Sequence, residues 1–158
     1  MRVALGADHA GVVLKNSIKQ LLDQRGITYT DFGTGSTESV DYPDYAALVA
    51  RSVASGEHDR GILVCGTGLG MAMAANKIPG IRAAPVVDEA SARLGREHNN
   101  ANVLALGARL TAEYLAWRLV EVFLDTPFGG GRHQRRIDKI GALDQPEAVD
   151  APDPQGRP

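Results

Sequence analysis

Five short apolar runs, separated by segments with helical spacing, constrain this chain more than any other feature. They are RVALG (2–6), ITYTDF (27–32), GILVC (61–65), IRAAPVV (81–87) and NVLALG (102–107). They are continuously apolar rather than alternating, and most stop at Gly, Asp or another turn-forming residue. Strands of a parallel sheet covered on both faces read this way. Helical spacing is found over 11–26, 44–56, 69–77, 89–99 and 111–125. In the first of these, Val13, Leu14, Ile18, Leu21 and Leu22 share a face, and Gly26 is placed to end the helix. Thr111 is placed to cap the last. The alternation predicts an α/β fold, a three-layer α/β/α sandwich on a five-stranded parallel Rossmann-like sheet. After Phe128, FGGGRHQRRIDKIGAL reads as a Gly-rich linker into a basic amphipathic helix at about 129–142. That helix closes a single domain of residues 1–143. The remainder, 144–158, is a Pro-rich acidic tail that lacks the apolar residues to fold alone.

Composition narrows the class. Seventeen Lys plus Arg stand against 19 Asp plus Glu, a net charge of −2, which argues against a nucleic-acid or membrane-surface binder. The one cysteine, Cys65, excludes an intramolecular disulfide. Asp8 and His9 interrupt the N-terminal apolar run, so no signal peptide is read there, and no run is long enough to cross a bilayer. A cytoplasmic location is the resulting expectation. Four scattered histidines and one cysteine show no metal-ligand spacing. Met71 stands where a dinucleotide fingerprint would need its last glycine. Neither a metal nor a cofactor is expected.

Open parallel sheets bind ligands at the carboxyl ends of their strands, and that rule selects the residues to weigh. The third run ends in CGTGLG. Its glycines let backbone amides approach an anion, although many such turns are glycine-rich for packing alone. Cys65 reads first as a buried apolar thiol. Its place at a strand tip facing amide donors equally suits a sulfur that acts as a base. The first run ends in GADHAG, which puts Asp8 and His9 at the same edge. Asp8 reads also as a helix cap, and His9 as a surface residue. The stretch REHNNANVLALGARL carries His98, Asn99, Asn100 and Asn102 at the junction of a helix and the fifth run, at the opposite edge, where Asn suits a helix end. Either His98 is structural or a symmetric partner brings it to the site. Arg109 follows the fifth run, at the matching edge. Arg132 and Arg136 are spaced i,i+4, forming either a solvated basic face or a pair of guanidiniums for a phosphate dianion.

Taken together, GADHAG, DYPDYA, CGTGLGMAMAANK, GIRAA, REHNNANVLALGARL and GGRHQRRI closely resemble the motifs of type B ribose-5-phosphate isomerases, in order, from about residue 2 to 141. That family also holds allose-6-phosphate and galactose-6-phosphate isomerases. The resemblance implies a cofactor-independent, metal-free interconversion of ribose 5-phosphate and ribulose 5-phosphate through an enediolate. It implies Cys65 as the base between C1 and C2, and His98 as the residue that opens the furanose ring. Asp8 and Tyr42 would lie against the sugar. Asn99 and the loop Gly66, Thr67, Gly68, Leu69 and Gly70 would hold the enediolate oxygens. His9, Arg109, Arg132 and Arg136 would contact the phosphate. Members that lack the cysteine use a glutamate six positions on. Met71 occupies that position here, so the chain matches the cysteine branch. The resemblance further implies a homodimer with shared active sites, or a tetramer built from it, with the C-terminal helix packing on the partner. His98, Asn99 and Arg109 would meet Cys65 across that interface. A hexose 6-phosphate such as allose 6-phosphate is the alternative substrate. A non-catalytic phosphosugar sensor and a redox role for Cys65 are the readings from other classes.

Overall fold

The computed structural model describes residues 1–145, so the acidic tail expected over 144–158 falls almost wholly outside the described residues. In chain order the elements are β1 (Arg2–Ala7), α1 (Val12–Gln24), β2 (Thr28–Asp31), α2 (Tyr42–Ala54), β3 (Arg60–Cys65) and α3 (Leu69–Ala75). They continue with β4 (Ala83–Pro85), α4 (Glu89–Asn99), β5 (Val103–Gly107), α5 (Glu113–Asp125) and α6 (Arg132–Ala142). The strands form one parallel sheet in the order β2-β1-β3-β5-β4.

The layers follow from the apolar pattern. On one face, Leu14, Ile18 and Leu22 of α1 and Leu119, Val120 and Phe123 of α5 cover Leu5, Ile62 and Leu104. On the other, Val49 and Ala50 of α2 and Met71 and Ala72 of α3 cover Leu63 and Val103. These strand residues are fully buried, each worth about 1.5–3 kcal/mol against exposure. β5 is buried throughout, and β1 and β3 are buried after their first residue. The outer strands β2 and β4 are partly open, and Pro85 is tolerated in β4 because an edge strand can lack one donor.

The expected elements are present, with local corrections. Val13 is exposed and Val12 takes its place on the buried face of α1. Gly26 stops α1 one residue beyond its cap, Arg25, at φ 63°, with Ile27 N–H returning to Leu22 O at 2.9 Å. Thr111 does not cap α5. Its amide turns back to Gly107 O at 3.0 Å, Ala112 becomes the cap, and the buried Thr111 hydroxyl has no partner among the described residues. The strand expected over 81–87 shortens to three residues, because the Arg82 amide donates to the Asn102 side chain at 2.8 Å.

One polar contact inside this framework reaches towards the sheet's carboxyl edge. Lys15, only 1% exposed, donates to both carboxylate oxygens of Asp31 at 2.7 and 2.9 Å and to Thr34 O at 2.8 Å. Burial alone would raise the Asp31 carboxyl. Hydrogen bonds from Lys15, Lys19 and the Gly33 amide outweigh it and hold the group below its ordinary value. The loop after β2 is thereby tied to α1.

Candidate active site

From β1 the chain passes through α1 to β2 on one side, and from β2 it crosses back through α2 to β3 on the other. The carboxyl ends of β1 and β3 therefore flank the divergence point, where α/β sheets leave a crevice. A cleft of about 250 Å³ lies there, lined by Asp8, His9, Ala10, Tyr42, Cys65, Gly66, Thr67, Gly70 and Arg109. Each side chain has a local reason for its place. Asp8 Oδ1 accepts the amides of Ala10 and Gly11 at 2.9 and 3.1 Å, so it braces the turn before α1. It does not cap the helix itself, whose first flanking residue is Gly11. His9 Nδ1 accepts the Val40 amide at 3.2 Å, which leaves Nε2 as the protonated nitrogen of the neutral ring.

Cys65 ends β3 and is 5% exposed. Its Sγ accepts the Gly68 amide at 3.1 Å. Gly68 reaches that position at φ 79°, a conformation that favours glycine. The amides of Gly66, Thr67 and Gly70 have no acceptor among the described residues. The loop therefore offers one donor to sulfur and several free donors beside it, the arrangement that stabilises an oxyanion next to a base. Leu69 is half exposed, and its own amide leans on Thr67 Oγ1 at 3.4 Å. The Tyr42 ring lies directly on Gly70, where an added methyl would meet Cε2 and Cζ at 2.8 Å. The Arg109 guanidinium lies over Gly66, and its amide is held by Gly66 O at 3.0 Å. This corrects the expectation that Arg109 arrives from a partner: it stands beside Cys65 within one chain, because β5 neighbours β3 in the sheet.

His98, Asn99, Arg132 and Arg136 do not line this cleft. α4 runs antiparallel to the strands, so its last turn lies at the amino edge, roughly 13 Å away along β5 at about 3.3 Å per residue. There His98 stacks on His133 of α6, with ring centroids 4.2 Å apart and planes at 9°. Partial desolvation, then His98 and the cations Arg132 and Arg136, push His133 below the ordinary histidine range. His133 stands in no spacing of the sequence that marks it for a role; its place one residue after Arg132, in a helix that meets α4, is the available signal. Asn99 lines a separate cleft of about 480 Å³ with Arg82, Ile140 and Leu143. The expected site residues thus fall into two separate groups on opposite edges.

A larger cleft of about 730 Å³ between α4 and α5 is lined by no Cys, Ser or His, and its one hydroxyl, Thr126, donates to Val122 O at 2.6 Å. Its charges satisfy one another, Arg93 with Glu97 at 2.9 Å and Arg118 with Glu89 at 3.1 Å. Among the described residues, no group of three or more His, Cys, Asp or Glu is placed to hold a metal ion. No described helix is long and apolar enough to cross a membrane.

Comparison with known proteins bears on this geometry. A family model described as Ribose/Galactose Isomerase matches residues 3–140. The Escherichia coli ribose-5-phosphate isomerase B is 48% identical over 144 residues, covering 91% of this chain and 97% of that protein. The ribose-5-phosphate isomerase B structure from Clostridium thermocellum is 51% identical with a TM-score of 0.90, covering 91% of this chain and 97% of the other. That from Mycoplasma genitalium, solved with bound ribulose-5-phosphate, is 44% identical with a TM-score of 0.86, over 90% and 95% of the two chains.

Proposed function

The chain belongs to the ribose/galactose isomerase family, and from that premise we propose that it interconverts ribose 5-phosphate and ribulose 5-phosphate. The reaction uses Cys65 as the base and needs neither metal nor organic cofactor. The observation that carries this reading is Cys65 Sγ at the wall of the cleft, held by the Gly68 amide beside unpaired amides of the same loop.

The chemistry follows from the residue types. His9 Nε2 and Arg109 are donors at one side of the cleft, suited to a phosphate, and Asp8 and Tyr42 border the space left for the sugar. His98 moves a proton between the ring oxygen and the C1 hydroxyl, opening the furanose to the aldehyde. The Cys65 thiolate then takes the proton from C2. The C–H electrons form the C1–C2 double bond, and the former aldehyde oxygen carries the negative charge. Loop amides and Asn99 receive that charge, a contribution of about 10²–10³ in rate per donor. Cys65 returns its proton to C1, the C2 hydroxyl proton passes to O1, and C2 becomes the ketone. Atoms and electrons balance within substrate and thiol.

A homodimer with shared sites completes the set. His98, Asn99, Arg132 and Arg136 from one subunit would meet Asp8, His9, Tyr42, Cys65 and Arg109 of its partner. Exposed apolar side chains beside both half-sites favour such an assembly: Leu69 and Met73 on α3, and Ile140 and Leu143 at the end of α6. α6 buries only Ile137 in its own chain, which suits a helix that packs on a partner.

The direct test incubates purified protein with ribose 5-phosphate and follows ribulose 5-phosphate. Turnover is expected, and Cys65→Ala should lower kcat by about 10²–10⁴, the usual worth of a positioned base. Turnover of a hexose 6-phosphate alone would reject the pentose substrate. Full activity in Cys65→Ala would reject the base.

A further inference from the structure

We infer that Arg82 is a positioning residue that fixes the working angle of His98 and Asn99, with Arg96 as a buried anchor. This rests on the reading of His98 and Asn99 as site residues. A helix end leaves its last carbonyls without intrahelical partners. Beyond His98, the carbonyls of Asn99 and Asn100 both accept from Arg82 Nε, each at 3.1 Å. Asn100 has φ 46° and is the one non-glycine residue with positive φ among the described residues. Asn tolerates this conformation at a helix end better than other non-glycine residues, so the turn is open to the sequence and the contacts around it set its angle.

The second grip comes from inside the fold. Arg96, 2% exposed, donates from Nη1 to Asn100 Oδ1 at 2.8 Å and Ala101 O at 2.5 Å, and from Nε to Thr126 O at 3.3 Å. Its guanidinium also lies over Phe123, 5.7 Å from the ring centre. Arg82 is itself held, because its amide donates to Asn102 Oδ1 at 2.8 Å and Asn102 Nδ2 donates to Gly80 O at 2.9 Å. The turn after α4 is therefore clamped from the start of β4 and from within α4.

This clamp costs more than a helix end requires. Arg96 pairs with no carboxylate among the described residues, and burial, then Arg60 and Arg82, push its guanidinium down to about 10. A glycine would end the helix without gathering like charges. What two arginines add is rigidity at the residues that present His98 and Asn99, and a displacement of about 1 Å at a reacting group costs on the order of 10² in rate.

The test measures thermal unfolding, kcat and KM for ribose 5-phosphate in Arg82→Ala, alone and combined with His98→Asn. Arg82 is partly exposed, so a folded variant is expected. Its kcat should fall about 10–100-fold with KM within about threefold. In the His98→Asn background the further loss should be at least about threefold smaller, because the ring to be placed is gone. Losses that multiply, or a kcat equal to that of the parent, would overturn the inference. Should Arg82→Ala not fold, Arg82→Met is read by the same cycle: it keeps the aliphatic stem and removes the Nε donor to the carbonyls of Asn99 and Asn100. Cys65→Ala and His98→Asn serve as controls. If both keep the parent's kcat, the site reading itself fails. If both are impaired while Arg82→Ala is fully active, only the role of Arg82 falls.

Discussion

Gly70→Ala separates the demands of the site from those of the fold. Gly70 is the second residue of α3, and its φ is negative, so alanine is allowed by the backbone. Replacing a helical glycine by alanine stabilises by up to about 1 kcal/mol. The new methyl, however, would stand 2.8 Å from Tyr42 Cε2 and Cζ. A carbon–carbon contact relaxes near 3.5–4.0 Å, so the ring must withdraw by roughly 1 Å. Tyr42 is 41% exposed and can swing towards solvent without breaking into the core. The melting temperature should therefore stay level or rise slightly. Activity should move the other way, because the displaced ring borders the cleft. A loss of about 10–100-fold in kcat/KM is expected, equal to about 1.4–2.7 kcal/mol of transition-state binding. Thermal unfolding and steady-state isomerase kinetics on one preparation provide the check. Unchanged kcat/KM would show that the Tyr42 position does not matter. A drop of many degrees would show that Gly70 serves packing rather than the site.

Three further outcomes follow from the same contacts. Lys15→Met removes the buried partner of a half-buried carboxylate, but Asp31 keeps Lys19 and the Gly33 amide. The cost should fall at about 2–4 kcal/mol, at or below the usual range for a broken buried pair, and Tm should drop by roughly 5–15 °C in chemical and thermal melts. Because Asp31 is held below its ordinary value of 3.8, its contribution is complete above that pH and is lost as pH falls through the lower folded value. Asp31→Asn should accordingly flatten the acid limb of stability against pH, and an unchanged limb would count against the pairing. His98→Asn should lose at least about tenfold more kcat/KM on ribose 5-phosphate than on an aldotetrose 4-phosphate, whose esterified C4 oxygen cannot close a furanose. Equal losses on the two substrates would remove ring opening from the role of His98.

The framework was legible because the three central strands are apolar on both faces, and no other packing accommodates such runs so readily. The same pattern placed Asp8, His9 and Cys65 at one edge, and they line one cleft. What escaped depended on side-chain partners rather than period. Thr111 carries the right atoms for a cap, but the turn at Gly107 uses up its amide and starts the helix one residue later. Arg109 follows β5, and that place alone puts it beside the Cys65 loop in one chain, whereas the resemblance suggested a place across an interface. His133 was missed because one histidine in a basic helix says nothing until α6 is seen to meet α4. The clamp on Asn100 was equally invisible, since it joins residues 82, 96 and 100 through contacts that no local pattern records.

The central claim is that each site takes Cys65 from one subunit and His98 from another. Mixing equal amounts of Cys65→Ala and His98→Asn chains, unfolding and refolding them together, tests it most directly. Random pairing in a two-fold dimer makes half the dimers mixed, and each mixed dimer rebuilds one intact site of two. Activity should return to about a quarter of the parent's level, although either variant alone is nearly inactive. No recovery, with mixed dimers shown to have formed, would place both residues in the service of a single chain and contradict the account.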